Sequence, residues 1–226
     1  MIDTAKHFIN LSTIKRLISI MPISKLNILH WHLADDEAFS FNLQLNPELS
    51  QYGAYSAKQI YQIEDIKELI ALAEFNGVSI VPEVNTIGGM RSWAQSPTWK
   101  DKNITIHCNK TSITPSYCHQ LDPSKAAGLE LVQQVVTELD NIFKKSPYIH
   151  LGGSKINFDC WDSRTNIKNT FMKLHNIKNY DGLVEYIRYE IKQAIPSSRK
   201  VVYWIDKAQN YSAGDNDILQ FTGNSS

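Results

Sequence analysis

The chain has 226 residues, of which 42% are hydrophobic and 20% are charged, and these fractions are typical of a globular domain. Its 23 Lys and Arg residues balance 23 Asp and Glu residues, so no basic excess points to nucleic acid or to an anionic membrane surface. No apolar run approaches the roughly 18 residues of a transmembrane helix, and the start lacks the basic-then-apolar pattern of a signal peptide. The length suits one domain, which we place at residues 1–226.

Helical and strand-like segments alternate through the first half of the chain. Apolar residues at helical spacing open this half, and Ser12 or Thr13 is a plausible helix cap. Gly77 is a typical residue to end a later amphipathic helix. The predicted elements are a helix at 12–22, a strand at 25–33, a long loop at 34–55, a helix at 63–76 and a strand at 78–84.

The second half repeats the pattern of strand, loop and helix, which requires a parallel sheet with helical crossovers. Polar and aromatic residues gather after the strands, as in a (β/α)8 barrel. Five strands and a stub at residues 1–4 fall short of eight, so we expect an α/β fold of the (β/α)8 TIM-barrel type, incomplete at its ends, with an open edge that calls for a partner. The predicted elements here are an irregular excursion at 86–123, helices at 124–144 and 183–194, and strands at 148–151, 200–204 and 217–221.

A glycine corner follows the predicted strand at 148–151. Gly152 and Gly153 allow a sharp turn, so that Ser154 and Lys155 face the carboxyl end of the sheet, where such folds place their chemistry. A hydrolase is expected to carry acids at this point. Lys155 is either a nucleophilic or Schiff-base lysine, which needs a lowered pKa, or a solvated lysine where selection for an acid has lapsed; we favour the second interpretation.

His30 and His32 lie two residues apart on a predicted strand, so both side chains face the same side of the sheet. A third ligand at a recognisable spacing is missing, and the three cysteines offer no close pair, so we predict no metal and no cofactor. A sugar-binding platform or a hydrogen-bonded pair of core histidines is the more plausible interpretation.

Two acidic positions follow strands. Asp35 belongs either to a loop turn or to a pocket, and Glu83 is either a general acid or base or a structural carboxylate inside the barrel. Tryptophans at 31, 93, 161 and 204 form either core or the aromatic wall of a sugar pocket, and Trp204, at the end of its strand, is the best wall candidate.

Several segments, in chain order, resemble the catalytic barrel of family 20 glycoside hydrolases, the β-N-acetylhexosaminidases, and the animal lysosomal members most of all. The segments that carry this resemblance are Asp3-Thr4-Ala5-Lys6-His7-Phe8, Leu26-Asn27-Ile28-Leu29-His30-Trp31-His32-Leu33-Ala34-Asp35-Asp36, Asn46-Pro47-Glu48-Leu49-Ser50, Ile80-Val81-Pro82-Glu83-Val84-Asn85, His150-Leu151-Gly152-Gly153, Cys160-Trp161 and Val202-Tyr203-Trp204.

The resemblance implies a substrate-assisted mechanism, in which the substrate's own acetamido oxygen attacks the anomeric carbon. An Asp orients the acetamido group and the adjacent Glu protonates the leaving oxygen; these catalytic positions are Ser154 and Lys155 here. It also implies a disulfide between Cys108 and Cys160, which leaves Cys118 free. The implied substrate-binding residues that remain are His32, Asp35, Glu83, Trp93 and Trp204.

Other positions depart from the family pattern. Asn85 replaces an Asp, and Gly89 stands where the family has a histidine that links the catalytic Glu to the loop acid at Asp35. The family's sugar-gripping Arg falls before residue 1, and a tryptophan expected after the last strand falls at Thr222.

We therefore expect little or no hydrolase activity. The alternatives are a sugar-binding or partner-regulating pseudoenzyme, a non-functional fragment, or an active enzyme that uses Glu83 or Asp35 instead. By resemblance, the partners are N-acetylhexosamine glycans or glycoconjugates and either a second copy or a family partner subunit, and the location is lysosomal or secreted. Five N-x-[ST] triplets, at Asn10, Asn103, Asn109, Asn210 and Asn224, suit a lumenal or secreted ancestry.

Overall fold

The structure, a computed structural model, describes residues 1–108, 119–154, 156–205, 214 and 216–221. Six of its strands form one sheet in which every neighbouring pair is parallel, in the order β1-β2-β3-β6-β7-β8, while β4 and β5 form a separate antiparallel hairpin. The strands are β1 (Ile2–Asp3), β2 (Ile28–Ala34), β3 (Ser79–Val84), β4 (Thr105–His107), β5 (His119–Leu121), β6 (Tyr148–His150), β7 (Lys200–Ile205) and β8 (Asp217–Phe221).

Helices connect the parallel strands from β1 to β7, as crossovers between parallel neighbours require. They are α1 (Leu11–Ile20), α2 (Glu48–Gly53), α3 (Ile63–Phe75), α4 (Pro97–Asp101), α5 (Ala126–Ile142), α6 (Phe158–Asp162), α7 (Met172–Leu174) and α8 (Tyr180–Lys192). The predicted α/β fold of an incomplete (β/α)8 barrel type is confirmed, and the stub at the start of the chain is a true edge strand of the sheet.

The alternation of β2 separates two environments. Trp31 and Leu33 are fully buried on one side, where the Trp31 ring packs edge-on against Tyr61 with ring centroids 5.1 Å apart and its Nε1 donates to Thr4 Oγ1 at 2.9 Å. His30 and His32 share the opposite side, as the sequence predicts, because successive strand residues point to opposite faces.

The longest helix, α5, shows why the crossovers pack onto the sheet. Its buried residues recur three or four positions apart, so they form one apolar stripe against the strands. Each fully buried Val or Leu stabilises the fold by roughly 1.5–3 kcal/mol. The fully buried members of the stripe are Leu131, Val132, Val135, Val136 and Leu139.

The cap of α1 differs from the prediction. Neither Ser12 nor Thr13 caps the helix; Asn10 does, because its Oδ1 accepts from Thr13 N at 2.9 Å and from Ser12 Oγ at 2.7 Å. The helix consequently starts at Leu11, one residue earlier than predicted. Gly77, by contrast, does follow the end of α3, with a φ of 67° that favours glycine.

The two long loops contain short elements that the sequence did not reveal. The segment 34–55 holds α2, and the segment 86–123 holds α4 and the β4–β5 hairpin. Elements of three to six residues carry too little periodicity to predict, and tertiary hydrogen bonds hold them instead. The Trp99 Nε1 of α4, for example, donates to Glu48 Oε1 of α2 at 2.9 Å.

A disulfide joins Cys108, directly after β4, to Cys160 in α6, so the predicted pairing is confirmed. The bridge closes a separation of 52 residues, and a disulfide typically stabilises a fold by about 2–4 kcal/mol. Cys118 lies outside the described residues. In the described part of the chain, no helix is long and apolar enough to cross a membrane.

A buried ion pair ties α5 to the turn before β7. Arg199 Nε donates to Asp140 Oδ1 at 2.6 Å, and its other nitrogens donate to the carbonyl oxygens of Asp140 and Phe143 at 3.3 and 3.4 Å. Both side chains are only 9% exposed. The guanidinium therefore compensates a carboxylate that water does not reach.

We expect Arg199→Leu to lower the free energy of unfolding by about 3–5 kcal/mol, because it leaves the Asp140 carboxylate buried without its partner. Urea denaturation followed by circular dichroism measures this change. The matched control is Asp140→Leu combined with Arg199→Leu, which removes both charges and should recover most of the loss. A double variant as unstable as the single one would contradict the assignment of the loss to the unpaired charge.

Candidate active site

The register of the parallel strands brings side chains from four strands together inside the sheet. Glu83 of β3 lies directly opposite His32 of β2 and His150 of β6. Trp204 of β7 reaches the same place, because its Nε1 donates to Glu83 Oε1 at 2.6 Å. Residues far apart in the sequence thus form one cluster at the carboxyl half of the sheet, where barrel folds place their sites.

Glu83 is the centre of this cluster and is only 1% exposed. His30 Nε2 lies 2.5 Å from its Oε2, while His150 Nδ1 and His32 Nε2 lie 3.8 and 4.0 Å from its Oε1. Burial alone would raise the pKa of Glu83, but the hydrogen bond from His30 and the charges of the histidines outweigh it, and the net pKa is lowered. The carboxylate is therefore held in its ionised form.

The pKa values of His32 and His150, the histidines on either side of Glu83, are shifted in opposite directions. Burial would lower the pKa of His32, but its hydrogen bond to Asp3 and the nearby charges of Glu83 and Asp35 raise it. Burial dominates at His150 and lowers its pKa to about 4. The Nδ1 of His150 accepts a hydrogen bond from Gly152 N at 3.0 Å, which suits a neutral ring.

A second group of charges lies at the loop after β2. Asp35 is fully buried, and Lys6 Nζ lies 3.2 Å from its Oδ2 and 2.6 Å from Asp3 Oδ2. Burial would lower the pKa of Lys6, but the hydrogen bond to Asp3 and the charge of Asp35 raise it well above its usual value. Asp3 also lies 3.3 Å from His32 Nδ1, so this group is continuous with the Glu83 cluster.

The glycine corner has the backbone that the sequence predicts. Gly152 and Gly153 have φ values of 67° and 104°, in the region that favours glycine. A Cβ at Gly152 would collide with Asn85 Oδ1, and one at Gly153 would lie 2.9 Å from Arg188 Nη2. Ser154 follows directly and is partly buried, whereas Lys155 lies outside the described residues.

Gly89 occupies an equally crowded position with a φ of 75°. A Cβ there would lie 2.5 Å from Asp35 Oδ1 and 2.6 Å from Asn85 Nδ2. The side chains of Asp35 and Asn85 therefore fill the space that any larger residue at position 89 would need.

The tryptophans divide between core and cluster. Trp31, Trp93 and Trp161 are fully buried, and Trp93 packs edge-on against Phe39 at 5.2 Å between ring centroids. Trp204 is partly exposed, and its ring centroid lies 5.2 Å from that of His150. The structure thus brings His32, Glu83 and Trp204 together with Asp35 nearby, and it places Trp93 in the core; their substrate-binding roles stay predictions.

Sequence reasoning missed the part that His150 and Lys6 play. His150 pairs with Glu83 only through the register between β3 and β6, which no spacing in the sequence reveals. Lys6 follows Asp3 by three residues, and that proximity is the one local indication of their ion pair.

Three groups of the cluster could in principle hold a metal ion, since ligand atoms of His30, Glu83 and His150 lie within 4.8 Å of one another. Two of them already contact protein groups: His30 Nε2 lies 2.5 Å from Glu83 Oε2, and Trp204 Nε1 donates to Glu83 Oε1. Metal binding requires these lone pairs, so the hydrogen bonds compete with it. The expectation of no metal and no cofactor stays a prediction.

Comparisons with known proteins agree with this architecture. Beta-hexosaminidase A of Caenorhabditis briggsae is 32% identical over 227 residues, which cover 97% of this chain and 40% of that protein. Beta-hexosaminidase subunit beta of Mus musculus is 32% identical over 201 residues, which cover 88% of this chain and 36% of that protein. The chain thus spans about 40% or less of the length of these curated relatives.

The solved structure of a GH20 exo beta-N-acetylglucosaminidase from Vibrio harveyi in complex with N-acetylglucosamine superposes with a TM-score of 0.78. The alignment covers 97% of this chain and 37% of that chain at 22% identity, so it bears on the fold alone. The sequence model described as "Glycosyl hydrolase family 20, catalytic domain" matches residues 1–223. Since that match extends over nearly the whole sequence, this chain belongs to glycosyl hydrolase family 20.

Proposed function

We propose that this chain is a β-N-acetylhexosaminidase family member whose hydrolytic step is impaired. The observation that carries the proposal is the identity of the two residues that follow the glycine corner after β6. Ser154 and Lys155 occupy the positions that, by family resemblance, hold the catalytic Asp and Glu. The glycines before Ser154 keep their positive φ values, which supports a change in side-chain chemistry and not in the glycine corner itself.

The replacements remove what the substrate-assisted reaction requires. A serine accepts a hydrogen bond from the acetamido group but brings no negative charge to the positive charge that develops on it. A protonated lysine places positive charge beside a cationic transition state and is a poor proton donor at neutral pH. Loss of general acid catalysis alone lowers a rate by about 10²–10⁴-fold.

The surroundings of Gly89 support the same proposal. In the family, a histidine at this position links the catalytic Glu to the acid at Asp35. Here Asp35 Oδ1 and Asn85 Nδ2 occupy the space in which its Cβ would lie, and Lys6 provides the partner of the Asp35 carboxylate. A relay histidine therefore has neither room nor an available acid in this arrangement.

Glu83 and Asp35 are poor substitutes for the missing acids. Both are buried, and cationic or N–H groups already contact their oxygens. The lowered pKa of Glu83 keeps it ionised, whereas a general acid must be protonated at the working pH. Their contacts favour structural roles for both carboxylates.

A second candidate function is sugar binding without turnover, and the position of Trp204 favours it. Its ring is partly exposed, and the hydrogen bond from Nε1 to Glu83 fixes its orientation beside His30 and His150. An oriented aromatic face is a suitable platform for the apolar face of a sugar ring.

Partners and location follow from the family. The expected ligands are N-acetylhexosamine glycans or glycoconjugates, and the expected protein partner is a second copy or a family subunit, since relatives carry the name hexosaminidase subunit beta. We place the protein in a lysosomal or secreted compartment, and the disulfide between Cys108 and Cys160 supports this because such bonds persist in oxidising compartments.

We expect the natural chain to release no product from an aryl N-acetyl-β-glucosaminide above the rate of the buffer. The matched comparison is Ser154→Asp combined with Lys155→Glu, measured with the same substrate. Turnover in the double variant alone would assign the loss of activity to the missing acid pair. No turnover in either protein would show that changes elsewhere, such as those around Gly89, also contribute to the loss of activity. Turnover by the natural chain would refute the proposal.

If the Glu83 cluster has a structural role, protonation of its His150 should change the free energy of unfolding. His150 is neutral when folded, with a pKa of about 4, and an unfolded histidine takes up a proton near pH 6.5. Because the unfolded chain then binds the proton first, His150 destabilises the fold as the pH falls from about 6.5 to 4, by on the order of 3 kcal/mol. His150→Asn, which keeps an acceptor for Gly152 N–H, should remove this dependence.

The measurement is urea denaturation of both proteins from pH 7.5 to 4. Glu83, His30 and His32 lie beside His150 in both proteins, so only the difference between the two curves reports His150. We expect the natural chain to lose stability relative to the variant as the pH falls. A difference that stays constant with pH would show that His150 does not titrate as proposed.

If Trp204 forms the sugar platform, N-acetylglucosamine should bind saturably to the natural chain, and Trp204→Leu should weaken binding by about 5- to 30-fold, since a stacked aromatic contributes about 1–2 kcal/mol. Isothermal titration calorimetry measures both affinities. Trp99→Phe is the control, since Trp99 is buried, contacts Glu48 of α2 and is not one of the predicted substrate-binding residues, so its replacement should leave the affinity unchanged. Equal affinities of the natural chain and Trp204→Leu would exclude this platform.

A further inference from the structure

Two of the five N-x-[ST] triplets lie in the described part of the chain, at Asn10-Leu11-Ser12 and Asn103-Ile104-Thr105. Such triplets arise often by chance, so the sequence alone does not identify a modified asparagine. A modified asparagine must meet two requirements. Its side chain must be exposed enough to carry a bulky group, and the fold must keep its hydrogen bonds when Nδ2 is substituted. Both asparagines are exposed, which meets the first requirement.

The two polar atoms of the Asn10 side-chain amide have different roles. Its Oδ1 caps α1 by accepting from Thr13 N at 2.9 Å, and it also accepts from Ser12 Oγ at 2.7 Å. Capping uses only the oxygen, and Nδ2 makes no hydrogen bond to the part of the chain that the structure describes. A substituent on Nδ2 therefore leaves the cap of α1 intact.

Asn103 occupies the turn between α4 and β4 with a φ of 50°, a conformation that asparagine tolerates better than most residues. Its Nδ2 donates to Asp101 O at 3.2 Å. A glycosylated amide keeps one N–H, so this hydrogen bond can persist after modification. Ile104 next to it is fully buried, so Asn103 is the last exposed residue before the chain enters the hairpin.

The disulfide supplies an independent argument for the compartment. The bond between Cys108 and Cys160 begins five residues after Asn103, and disulfides form and persist in the lumenal and extracellular spaces. N-glycosylation takes place in the same lumenal space, on surface loops of proteins that enter it. The compartment in which this disulfide persists is thus the one in which N-x-[ST] triplets accept glycans.

We propose that Asn10 and Asn103 both carry N-linked glycans. In the transfer, Nδ2 forms a bond to the anomeric carbon of a lipid pyrophosphate-linked oligosaccharide, and the bond from that carbon to the pyrophosphate oxygen breaks. The lipid pyrophosphate leaves with the bonding electrons, and Nδ2 gives up one proton. This proposal does not depend on the state of the catalytic positions, so it stands or fails separately from the proposed function.

The test is peptide mass spectrometry on the protein purified from its own cells, before and after peptide N-glycosidase treatment in heavy-oxygen water. That enzyme converts a glycosylated asparagine to an aspartate that carries the heavy oxygen. We expect the label at positions 10 and 103. A peptide from either position that is fully unmodified before treatment and unlabelled after it overturns the proposal for that position.

Hydroxyl variants separate modification from folding. Ser12→Ala and Thr105→Val each destroy one triplet but keep the asparagine, including the Asn10 cap of α1. When the chain is secreted from cultured cells with an appended signal sequence, each variant should lose one glycan in a gel-mobility assay and keep the thermal midpoint of the deglycosylated natural chain. Asn76→Gln, at an asparagine outside any triplet, is the control and should lose none. Unchanged mobility of either hydroxyl variant overturns the proposal for its site.

Discussion

The ionised carboxylate of Glu83, enclosed by the parallel strands, is the constraint on which this structure depends. Burying such a charge costs several kcal/mol unless partners surround it closely. Here the partners come from three other strands: His30 from β2, His150 from β6 and Trp204 from β7. A slip of one residue in any of these strands would turn its partner to the opposite face, so the carboxylate selects one register for β2, β3, β6 and β7.

This constraint concerns the fold and is separate from the proposed loss of chemistry. The Glu83 cluster lies on the strands themselves, whereas the positions at which we propose altered chemistry, Asn85, Gly89 and Ser154, lie at the ends of β3 and β6 and beyond. A barrel can keep the residues that hold its interior while its loops change, since function depends on the site and not on the fold as such. The preserved interior therefore carries no implication of turnover.

The sequence predicted the parts of the structure that have a strong local signal. The buried strands β2, β3 and β7 and the long helices α3 and α5 all appear close to their expected positions. The cap at Asn10 was missed because Ser12 and Thr13 follow it and have equal capping ability. The contacts of His150 and Lys6 could not be foreseen, because they depend on strand register and on the path of a loop. The disulfide was foreseen only through family resemblance.

The departures at the candidate site are coupled by geometry. The positive φ of Gly89 lets Asp35 and Asn85 approach its backbone, and Lys6 Nζ contacts both Asp3 and Asp35 directly. An aspartate in place of Asn85 would add a further negative charge beside Asp35. An amide at position 85 and a glycine at position 89 are therefore mutually compatible, because Asn85 adds no charge beside Asp35 and Gly89 leaves room for both side chains. On the proposed function, the impaired hydrolysis results from this arrangement around Asp35 as well as from the two changed residues after the glycine corner.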